Sequence, residues 1–380
     1  MRDDHRARWT DVGEKLAVGS ADLLPVGGRG QEGSRADDVL GAGTGFPKRL
    51  YDDLETAPRL AVRVGRRVGA VGHHRRRAGD VDRVADNDGA REPDHSLVWR
   101  SRGDPPPSLH RGLVSPPVDA LRQVDDWPAE QAAVAVTGRV AATYGELDAT
   151  FEWASVTKLA VAVAILVAVE EGIVDLDEDC GPPGSTLRHL LAHASGLPPE
   201  RGAPISRPGQ RRIYSNYGFE VAAELVSGRA EMPFSDYFAS VWENGAVLRG
   251  SPASGVTGRL ADLLDVAEEL LRPAKLAGET LAEATSVQFP GLVGVLPGFG
   301  RMEPNDWGLG FELRDAKAPH WTGARNSPRT FGHFGQTGTF LWIDPEAELA
   351  LACLTNLTFG DWATEAWPRL SDAVLELGSE

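Results

Sequence analysis

The stretch Phe151-Glu-Trp-Ala-Ser-Val-Thr-Lys158 decides the interpretation of this chain, together with the apolar run over residues 159–169 that follows it. Ser155 and Lys158 stand three positions apart at the start of a predicted helix, and residues i and i+3 share one helix face. We therefore expect the hydroxyl and the amine to lie side by side. The first turn of a helix also offers unpaired N–H groups and a positive dipole end, which favour developing negative charge.

The pair has the composition of an activated nucleophile. A serine nucleophile needs a neighbouring base, and a lysine can serve where its surroundings lower its pKa. Arginine stays protonated and cannot replace it. The chain holds few lysines and this is its only Ser-x-x-Lys. The run 159–169 is apolar nearly all round, which predicts a buried helix that keeps Lys158 poorly solvated. The alternative is that Ser155 only caps this helix and Lys158 only occupies its first turn.

Length and composition bound the class of protein. With 380 residues and 42% hydrophobic residues, the chain has room for one large or two ordinary globular domains. The apolar run is shorter than the roughly 20 residues that a membrane-spanning helix needs. No secretory signal is visible at the N-terminus, so a cytoplasmic location is the default expectation. Two cysteines, Cys180 and Cys353, form no metal-binding spacing, and we expect neither a metal nor a cofactor.

The net charge of −16 is unevenly distributed. About 20 basic and about 18 acidic residues lie in 1–114, which leaves about 19 basic and about 37 acidic residues for the remainder. An acidic surface repels polyanions, so neither nucleic acid nor an anionic membrane is expected as a partner. The composition does not address the oligomeric state.

Residues 1–114 differ from the rest of the chain. They are rich in Gly, Arg, Asp and Ala and show no sustained period of 2 or 3.6 residues. We predict that this segment is disordered or lies upstream of the native start codon, and that the folded domain spans 115–380. A basic cluster, His73-His-Arg-Arg-Arg77, admits a nucleic-acid arm or a metal site, but a solvated charge run is the favoured interpretation.

Periodicity beyond residue 117 predicts an α+β domain. A short amphipathic helix is expected over 118–124, a β-hairpin over 132–144, and an end to the nucleophile helix near Gly172. We predict further helices over 185–195, 217–229, 232–242, 257–272, 277–286 and 361–377, and strands over 307–313, 331–335, 339–343 and 349–354. This order predicts one antiparallel sheet shared by both ends of the domain, a helical second lobe, and a site in the cleft between them.

Two further stretches carry chemical groups. Tyr214-Ser-Asn216 offers a phenol, which ionises more easily beside a lysine, and an amide that can donate to and accept from a substrate. Its alternative is a turn that caps the helix 217–229. Gly332-His-Phe-Gly-Gln-Thr-Gly-Thr339 is a glycine-rich strand edge that a substrate backbone could approach closely. Its alternative is a strand with a bulge and a structural histidine.

In this order the three stretches resemble the serine β-lactamase-like family, which includes penicillin-binding proteins, class C β-lactamases, esterases and D-amino-acid peptidases. The matching motifs are Ser155-Val-Thr-Lys158, Tyr214-Ser-Asn216 and, in place of Lys-Thr-Gly, His333-Phe-Gly335. The resemblance extends to Leu190–Leu197, Trp307–Phe311 and Phe340–Pro345, and covers about residues 118–380.

The resemblance implies a role for each site residue. Ser155 is the acylated nucleophile, Lys158 and Tyr214 form the base system, and Asn216 positions the substrate. The backbone N–H groups of Ser155 and Gln336 form the oxyanion hole. His333 and Gly335 occupy the strand position of the family's Lys-Thr-Gly, and the weaker charge of histidine argues against strong recognition of a β-lactam carboxylate. A rival alignment places Gln336-Thr-Gly338 at that position.

The sequence therefore predicts a metal-independent hydrolase that cleaves a small ester or amide through an acyl-serine intermediate. Fewer residues separate Asn216 from His333 than in class C β-lactamases, which favours a small substrate. We also hypothesise that Arg325 or Asn326 contacts the substrate. The alternatives are a β-lactamase, a D,D-peptidase or D-aminopeptidase, and a non-catalytic penicillin-binding sensor.

Overall fold

A computed structural model describes residues 116–377 of the chain. The prediction for residues 1–114 and the basic cluster within them lie outside this range. Among the described residues, no helix combines the length and the apolar character that a membrane crossing requires.

The centre of the domain is a six-stranded antiparallel sheet. In spatial order its strands are β2 (Ala142–Gly145), β1 (Ala132–Gly138), β11 (Leu349–Thr355), β10 (Thr339–Asp344), β9 (Phe331–Gly335) and β8 (Glu312–Leu313). Strand β1 pairs with β11, so that Ala132 lies opposite Thr355. The two ends of the domain thus share one sheet, as the sequence predicted.

Both faces of this sheet are covered. Along β11, Leu349, Leu351 and Cys353 pack into one apolar cluster, while the alternate residues pack into another. Successive side chains of a strand point to opposite faces, so a doubly covered strand has no polar face. This explains why residues 349–354 are an uninterrupted apolar run.

One face of the sheet packs against α1 (Pro116–Leu121) and the C-terminal helix α8 (Asp361–Leu377). The nucleophile helix α2 (Thr157–Glu170) lies in the other cluster and is buried along nearly its whole length. Helix α2 ends just before Gly172, which has a φ of 71°. The left-handed conformation at such a C-terminal position is the one that glycine adopts without strain.

The remaining helices follow α2 in the chain and end before residue 285. They are α3 (Leu187–Leu191), α4 (Asn216–Ala230), α5 (Phe234–Trp242), α6 (Leu260–Leu271) and α7 (Gly278–Ala284). Predicted and observed bounds agree within about three residues, except that the helix expected over 185–195 is confined to residues 187–191. These elements confirm the predicted α+β architecture.

Short strands were missed. Strands β3 (Phe151–Glu152), β5 (Val256–Gly258) and β4 (Val247–Leu248) form a small sheet, and β6 (Gly294–Leu296) pairs with β7 (Gly300–Met302). The strand predicted over 307–313 is formed only at β8, because residues 307–310 turn back on themselves through Gly310. Strands of two or three residues are too short to show a period of two.

Candidate active site

Ser155 lies in a short 3₁₀ turn, Ala154–Val156, that leads into α2. The preceding residue, Ala154, has a φ of 45°. A non-glycine residue in this left-handed region is strained, and such strain persists only where the surroundings enforce it. Strand β9 packs closely against this turn: a Cβ atom on Gly335 would lie 2.6 Å from the Trp153 carbonyl oxygen and 3.0 Å from the Ala154 Cβ.

Hydrogen bonds hold this turn from two sides. From the β9–β10 side, the hydroxyls of Thr337 and Thr339 donate to the carbonyl oxygens of Glu152 (2.8 Å) and Trp153 (2.9 Å). From the β5 side, the Val256 N–H donates to the Thr157 hydroxyl at 3.0 Å. The position of Ser155 is thus fixed by strands that lie about 100 and 180 residues further along the chain.

Lys158 is fully buried on the first turn of α2. Its Nζ lies 3.2 Å from Ser155 Oγ, and it donates to Asn216 Oδ1 at 2.8 Å and to the Ala253 carbonyl oxygen at 2.9 Å. All three contacts are with uncharged groups. Burial lowers the pKa of Lys158 to about 7, against a smaller opposing effect of the Glu200 charge.

These contacts orient the amine. A neutral amine has two N–H bonds, and the Asn216 and Ala253 oxygens can only accept. When both N–H bonds are used in this way, the lone pair of Lys158 points toward the remaining neighbour, Ser155 Oγ. This is the arrangement that general-base removal of the serine proton requires.

Tyr214 closes the cluster from the loop before α4. Its hydroxyl donates to Ser155 Oγ at 2.7 Å, and its ring lies 4.7 Å from Lys158 Nζ. Burial raises the pKa of Tyr214, which outweighs the opposing hydrogen bond with Ser155. The expectation that this phenol ionises more easily is therefore wrong, because desolvation of the phenolate outweighs any help from the amine.

Asn216 is the first residue of α4, and Ser215 caps that helix by accepting from the Gly218 N–H. The cap turns Tyr214 and Asn216 toward Ser155 and Lys158. The stretch Tyr214-Ser-Asn216 therefore both caps the helix and brings a phenol and an amide to these two residues. The Asn216 side chain also donates from Nδ2 to Glu200 Oε1 at 2.9 Å. Because Oδ1 contacts Lys158 and Nδ2 contacts Glu200, the amide orientation is defined at both ends.

His333 lies on β9 and is 4% exposed. Its ring centroid is 5.6 Å from that of Tyr214 and 5.5 Å from that of Trp307. Burial, followed by the Lys158 charge, lowers the pKa of His333 to about 3, so the imidazole is neutral. In the rival alignment, Gln336–Gly338 falls in the turn after β9, where Gly338 has a φ of 72°. His333 is therefore the strand residue that faces Tyr214.

A narrow cleft opens over Ser155, and the space between its lining atoms, part of which is open to solvent, is about 300 Å³. The hairpin β6–β7, which the sequence did not reveal, supplies Leu296 and Pro297 to its wall. The complete lining is Ser155, Tyr214, Leu296, Pro297, Trp307, Glu312, His333, Phe334 and Gln336.

Glu312 is a buried carboxylate in this wall that no sequence motif identifies. It forms an ion pair with Lys317, and its Oε2 accepts from His320 Nε2 at 2.9 Å and Trp321 Nε1 at 3.1 Å. Burial by itself raises the pKa of Glu312, but the charge and hydrogen bonds of Lys317 and His320 lower it to about 2. Its charge is thus compensated inside the protein.

The other hypotheses have different outcomes. Arg325 pairs with Glu376 on α8 at 2.7 Å, and Asn326 is buried with its Oδ1 on the Gly323 N–H. Neither lines the cleft, which contradicts the hypothesis that they contact the substrate.

The sequence analysis missed Ala253 and Glu200 for different reasons. A backbone carbonyl leaves no side-chain signal, and Glu200 is an ordinary exposed carboxylate in a loop.

A family model described as beta-lactamase matches residues 119–243 and 239–375, which is most of the chain. The chain belongs to the β-lactamase family. Proteins of this family are serine hydrolases that act on small molecules through an acyl-serine. The predicted family and class of enzyme are thereby confirmed, while the substrate is not specified.

Solved structures agree with this assignment. A β-lactamase from Mycobacterium bovis is 51% identical, covers 69% of this chain and all of its own, and superposes with a TM-score of 0.67. Simvastatin synthase from Aspergillus terreus (16% identity, 70% and 100% coverage, TM-score 0.57) and a putative β-lactamase from Bacteroides dorei (18%, 70% and 98%, 0.57) share the fold. A search of curated proteins gives no match.

Proposed function

We propose that this protein hydrolyses a small, uncharged ester or amide through an acyl intermediate on Ser155. The single observation that carries the proposal is the environment of Ser155 Oγ, which lies within hydrogen-bonding distance of Lys158 Nζ and Tyr214 OH. The pKa of Lys158, about 7, makes a substantial fraction of the amine neutral at neutral pH.

In acylation, Ser155 Oγ attacks the carbonyl carbon as the Lys158 lone pair takes the hydroxyl proton. The negative charge on the carbonyl oxygen would be held by the backbone N–H groups of Ser155 and Gln336, where each donor typically contributes a few kcal/mol. Tyr214, neutral because its pKa is raised, donates its proton to the departing alcohol or amine. It recovers a proton from the Lys158 ammonium, which regenerates the base.

In deacylation, a water molecule gives a proton to Lys158 and attacks the acyl carbon. The collapse of the tetrahedral adduct returns a proton to Ser155 Oγ and releases the acid. The small cleft and its apolar wall favour a small acyl or alcohol group. Asn216 and Gly335 hold the base and the nucleophile turn in position.

Activity-based labelling tests this proposal directly. A fluorophosphonate probe, followed by peptide mapping, should label Ser155 in the wild type and give no label in Ser155→Ala. Ser235→Ala is the matched control, because Ser235 is an exposed serine near the start of another helix, α5. Labelling that persists in Ser155→Ala would assign the reactive hydroxyl elsewhere and refute the proposal.

β-Lactam hydrolysis is the second candidate, because the 51% identical Mycobacterium bovis protein is described as a β-lactamase. Four compounds separate the alternatives. Turnover of 4-nitrophenyl acetate without turnover of nitrocefin supports the esterase, whereas comparable turnover of nitrocefin supports a β-lactamase. Labelling by a fluorescent penicillin without turnover of either compound supports a non-catalytic sensor, and a D,D-peptidase would release D-alanine from a D-alanyl-D-alanine peptide.

A further inference from the structure

His333 lines the cleft, and its side chain carries a buried hydrogen-bond acceptor that has no partner among the described residues. Its Nδ1 lies 2.6 Å from the Phe334 carbonyl oxygen. A carbonyl can only accept, so Nδ1 carries the ring proton. The other nitrogen, Nε2, is buried and has no hydrogen-bond partner among residues 116–377. In the neutral ring this atom is a lone pair without a donor, on a side chain that lines the cleft together with Ser155 and Tyr214.

A positive charge at this position is disfavoured by its surroundings. The ring is flanked by Tyr214, Trp307 and Phe334, and it lies close enough to Lys158 to be affected by its charge. Protonating Nε2 would place a second cation in an apolar wall, at a large desolvation cost. The neutral ring, with Nε2 as acceptor, is therefore the form that the site contains.

The rest of the described wall offers no cationic side chain for a carboxylate. Within the described lining, the side chains are apolar, aromatic or uncharged except for Glu312. The Glu312 oxygens already accept from Lys317, His320 and Trp321, so this carboxylate is compensated within the protein and brings no positive charge to the cleft. Gln336 can form hydrogen bonds but cannot neutralise a charge.

A second histidine beside Tyr214 shows that this arrangement is specific. His193 accepts from the Ser215 N–H at its Nδ1, so its Nε2 carries the proton. Its ring stands edge-on to Trp307 with the centroids 4.7 Å apart, and it is absent from the cleft lining. The two rings thus hold opposite tautomers, and of the two only His333 lines the cleft.

We infer that the cleft selects substrates that carry a hydroxyl or N–H donor beside the scissile bond, which His333 Nε2 accepts, and rejects those with a carboxylate there. This inference rests on the proposed function. An unpartnered buried acceptor is costly, and a substrate donor removes that cost, whereas a carboxylate adds a second acceptor without a proton between the two.

Two matched ester series test the inference on the full-length protein. The first contains 4-nitrophenyl benzoates with a methyl, hydroxymethyl or carboxylate group at the meta position of the acyl ring. The second contains phenyl acetates with the same three groups at the meta position of the leaving phenol. Meta groups cannot reach the ester carbonyl within the molecule, so the kcat/KM ratios report on recognition by the cleft.

In at least one series, we expect the hydroxymethyl ester to exceed the methyl ester about tenfold, and the carboxylate ester to fall at least about tenfold below the methyl ester. In His333→Phe, which lacks the acceptor, the hydroxymethyl to methyl ratio should approach one. In His333→Lys, the ratio of kcat/KM for the carboxylate ester to kcat/KM for the hydroxymethyl ester should be higher than in the wild type. If a variant fails to fold, the wild-type ratios decide alone.

Two results would overturn the inference. One is equal kcat/KM for all three esters in both series. The other is a carboxylate ester that is the best substrate in either series. Both leave the proposed function intact, since turnover occurs. If no ester is turned over and the fluorophosphonate does not label Ser155, the proposed function fails first and this inference fails with it.

Discussion

Two buried lysines in this domain have opposite surroundings. Lys158 contacts a hydroxyl, an amide oxygen and a backbone carbonyl, all of them uncharged. Lys317 is also buried, but it contacts the Glu312 carboxylate in addition to the carbonyl oxygens of Asp306 and Leu313. The same side chain thus has neutral acceptors in one place and a counter-charge in the other.

These different surroundings indicate different roles for the two lysines. A buried amine without a counter-charge releases its proton readily, and the pKa of Lys158 is lowered to about 7. A buried ion pair keeps both charges, and the pKa of Glu312 is lowered to about 2. We therefore assign chemistry to the first lysine and support of the cleft wall to the second. The predictions that follow test this difference.

The largest expected effect is on turnover in Lys158→Met. Without a base, Ser155 keeps its proton, and kcat for 4-nitrophenyl acetate should fall by about 10³-fold or more. Lys158→Arg should fall similarly, because its charge survives and its basicity does not. Single-turnover and steady-state kinetics measure both. Substantial residual activity in Lys158→Arg would contradict the assigned base.

The same variant should cost little stability. Removing a buried amine that lacks a counter-charge also removes its desolvation cost, so Lys158→Met is expected within about 1 kcal/mol of the wild type in urea unfolding. Lys275→Met is the matched control, because Lys275 is an exposed lysine outside the cleft. A loss of several kcal/mol in Lys158→Met alone would assign it a structural role.

Lys317→Met should show the reverse pattern. It leaves the Glu312 carboxylate buried without its counter-charge, which typically costs about 3–5 kcal/mol. Urea unfolding at pH 7 measures this loss. In the double variant Lys317→Met with Glu312→Gln, no buried charge remains unpaired, so part of the loss should be recovered. Equal losses in the single and double variants would contradict the ion-pair explanation.

Whether the sequence predicts a contact in this site depends on whether the contact is local in the chain or arises from the tertiary fold. Ser155 and Lys158 are three residues apart on one helix, so local geometry alone predicts their contact. Tyr214, Asn216 and His333 were selected by motif order, and their approach depends on the tertiary fold. The bounds of α8 match the prediction, because a long periodic segment carries a strong local signal. Those of β9 match as well, although that strand has only five residues.

Other features could not be predicted. The Ala253 carbonyl has no side-chain signature, and the Glu312–Lys317 pair arises from turns whose geometry no motif encodes. The raised pKa of Tyr214 contradicted the expectation, because burial is a property of the whole fold. The hairpin β6–β7 is too short for periodicity to reveal, although it forms part of the cleft wall.

The next prediction concerns pH. Lys158 must be neutral to act, so kcat/KM should rise with pH through about 7 and then level off. The other ionisable groups near Ser155 should not add a second pH-dependent step to kcat/KM in this range. The pKa values of His193 and His333 are lowered, and that of Tyr214 is raised. A flat profile between pH 5 and 9 would contradict the assignment.

The free energy of unfolding should also rise with pH. An unfolded lysine titrates near about 10.4, so between about pH 7 and 10 the unfolded chain holds a proton that the native Lys158 has lost. The unfolding free energy therefore gains up to about 1.4 kcal/mol per pH unit from this group. Comparing wild type with Lys158→Met at pH 7 and 9 isolates this contribution, which should be absent when Lys158 is removed.

The smallest expected effect is in Glu200→Gln. The Glu200 charge raises the pKa of Lys158, and its Oε1 accepts from Asn216. Glutamine keeps an acceptor and removes the charge. The rise of kcat/KM with pH, called the limb below, should therefore move to lower pH, and the level that kcat/KM reaches at high pH, the plateau, should change little. Glu200 is exposed, so salt should screen its effect and shrink the difference between wild type and variant.

Glu224→Gln provides the matched control. Glu224 is an exposed carboxylate on the neighbouring helix, where it pairs with Arg201 at 3.0 Å and has no contact with Asn216 among the described interactions. Its removal should leave the limb in place. If Glu200→Gln lowers the plateau without moving the limb, Glu200 acts by orienting Asn216 and not by its charge. If both variants move the limb equally, the effect belongs to the overall negative charge of the domain, and the comparison of the two lysines would have to include the surface field as well as their direct contacts.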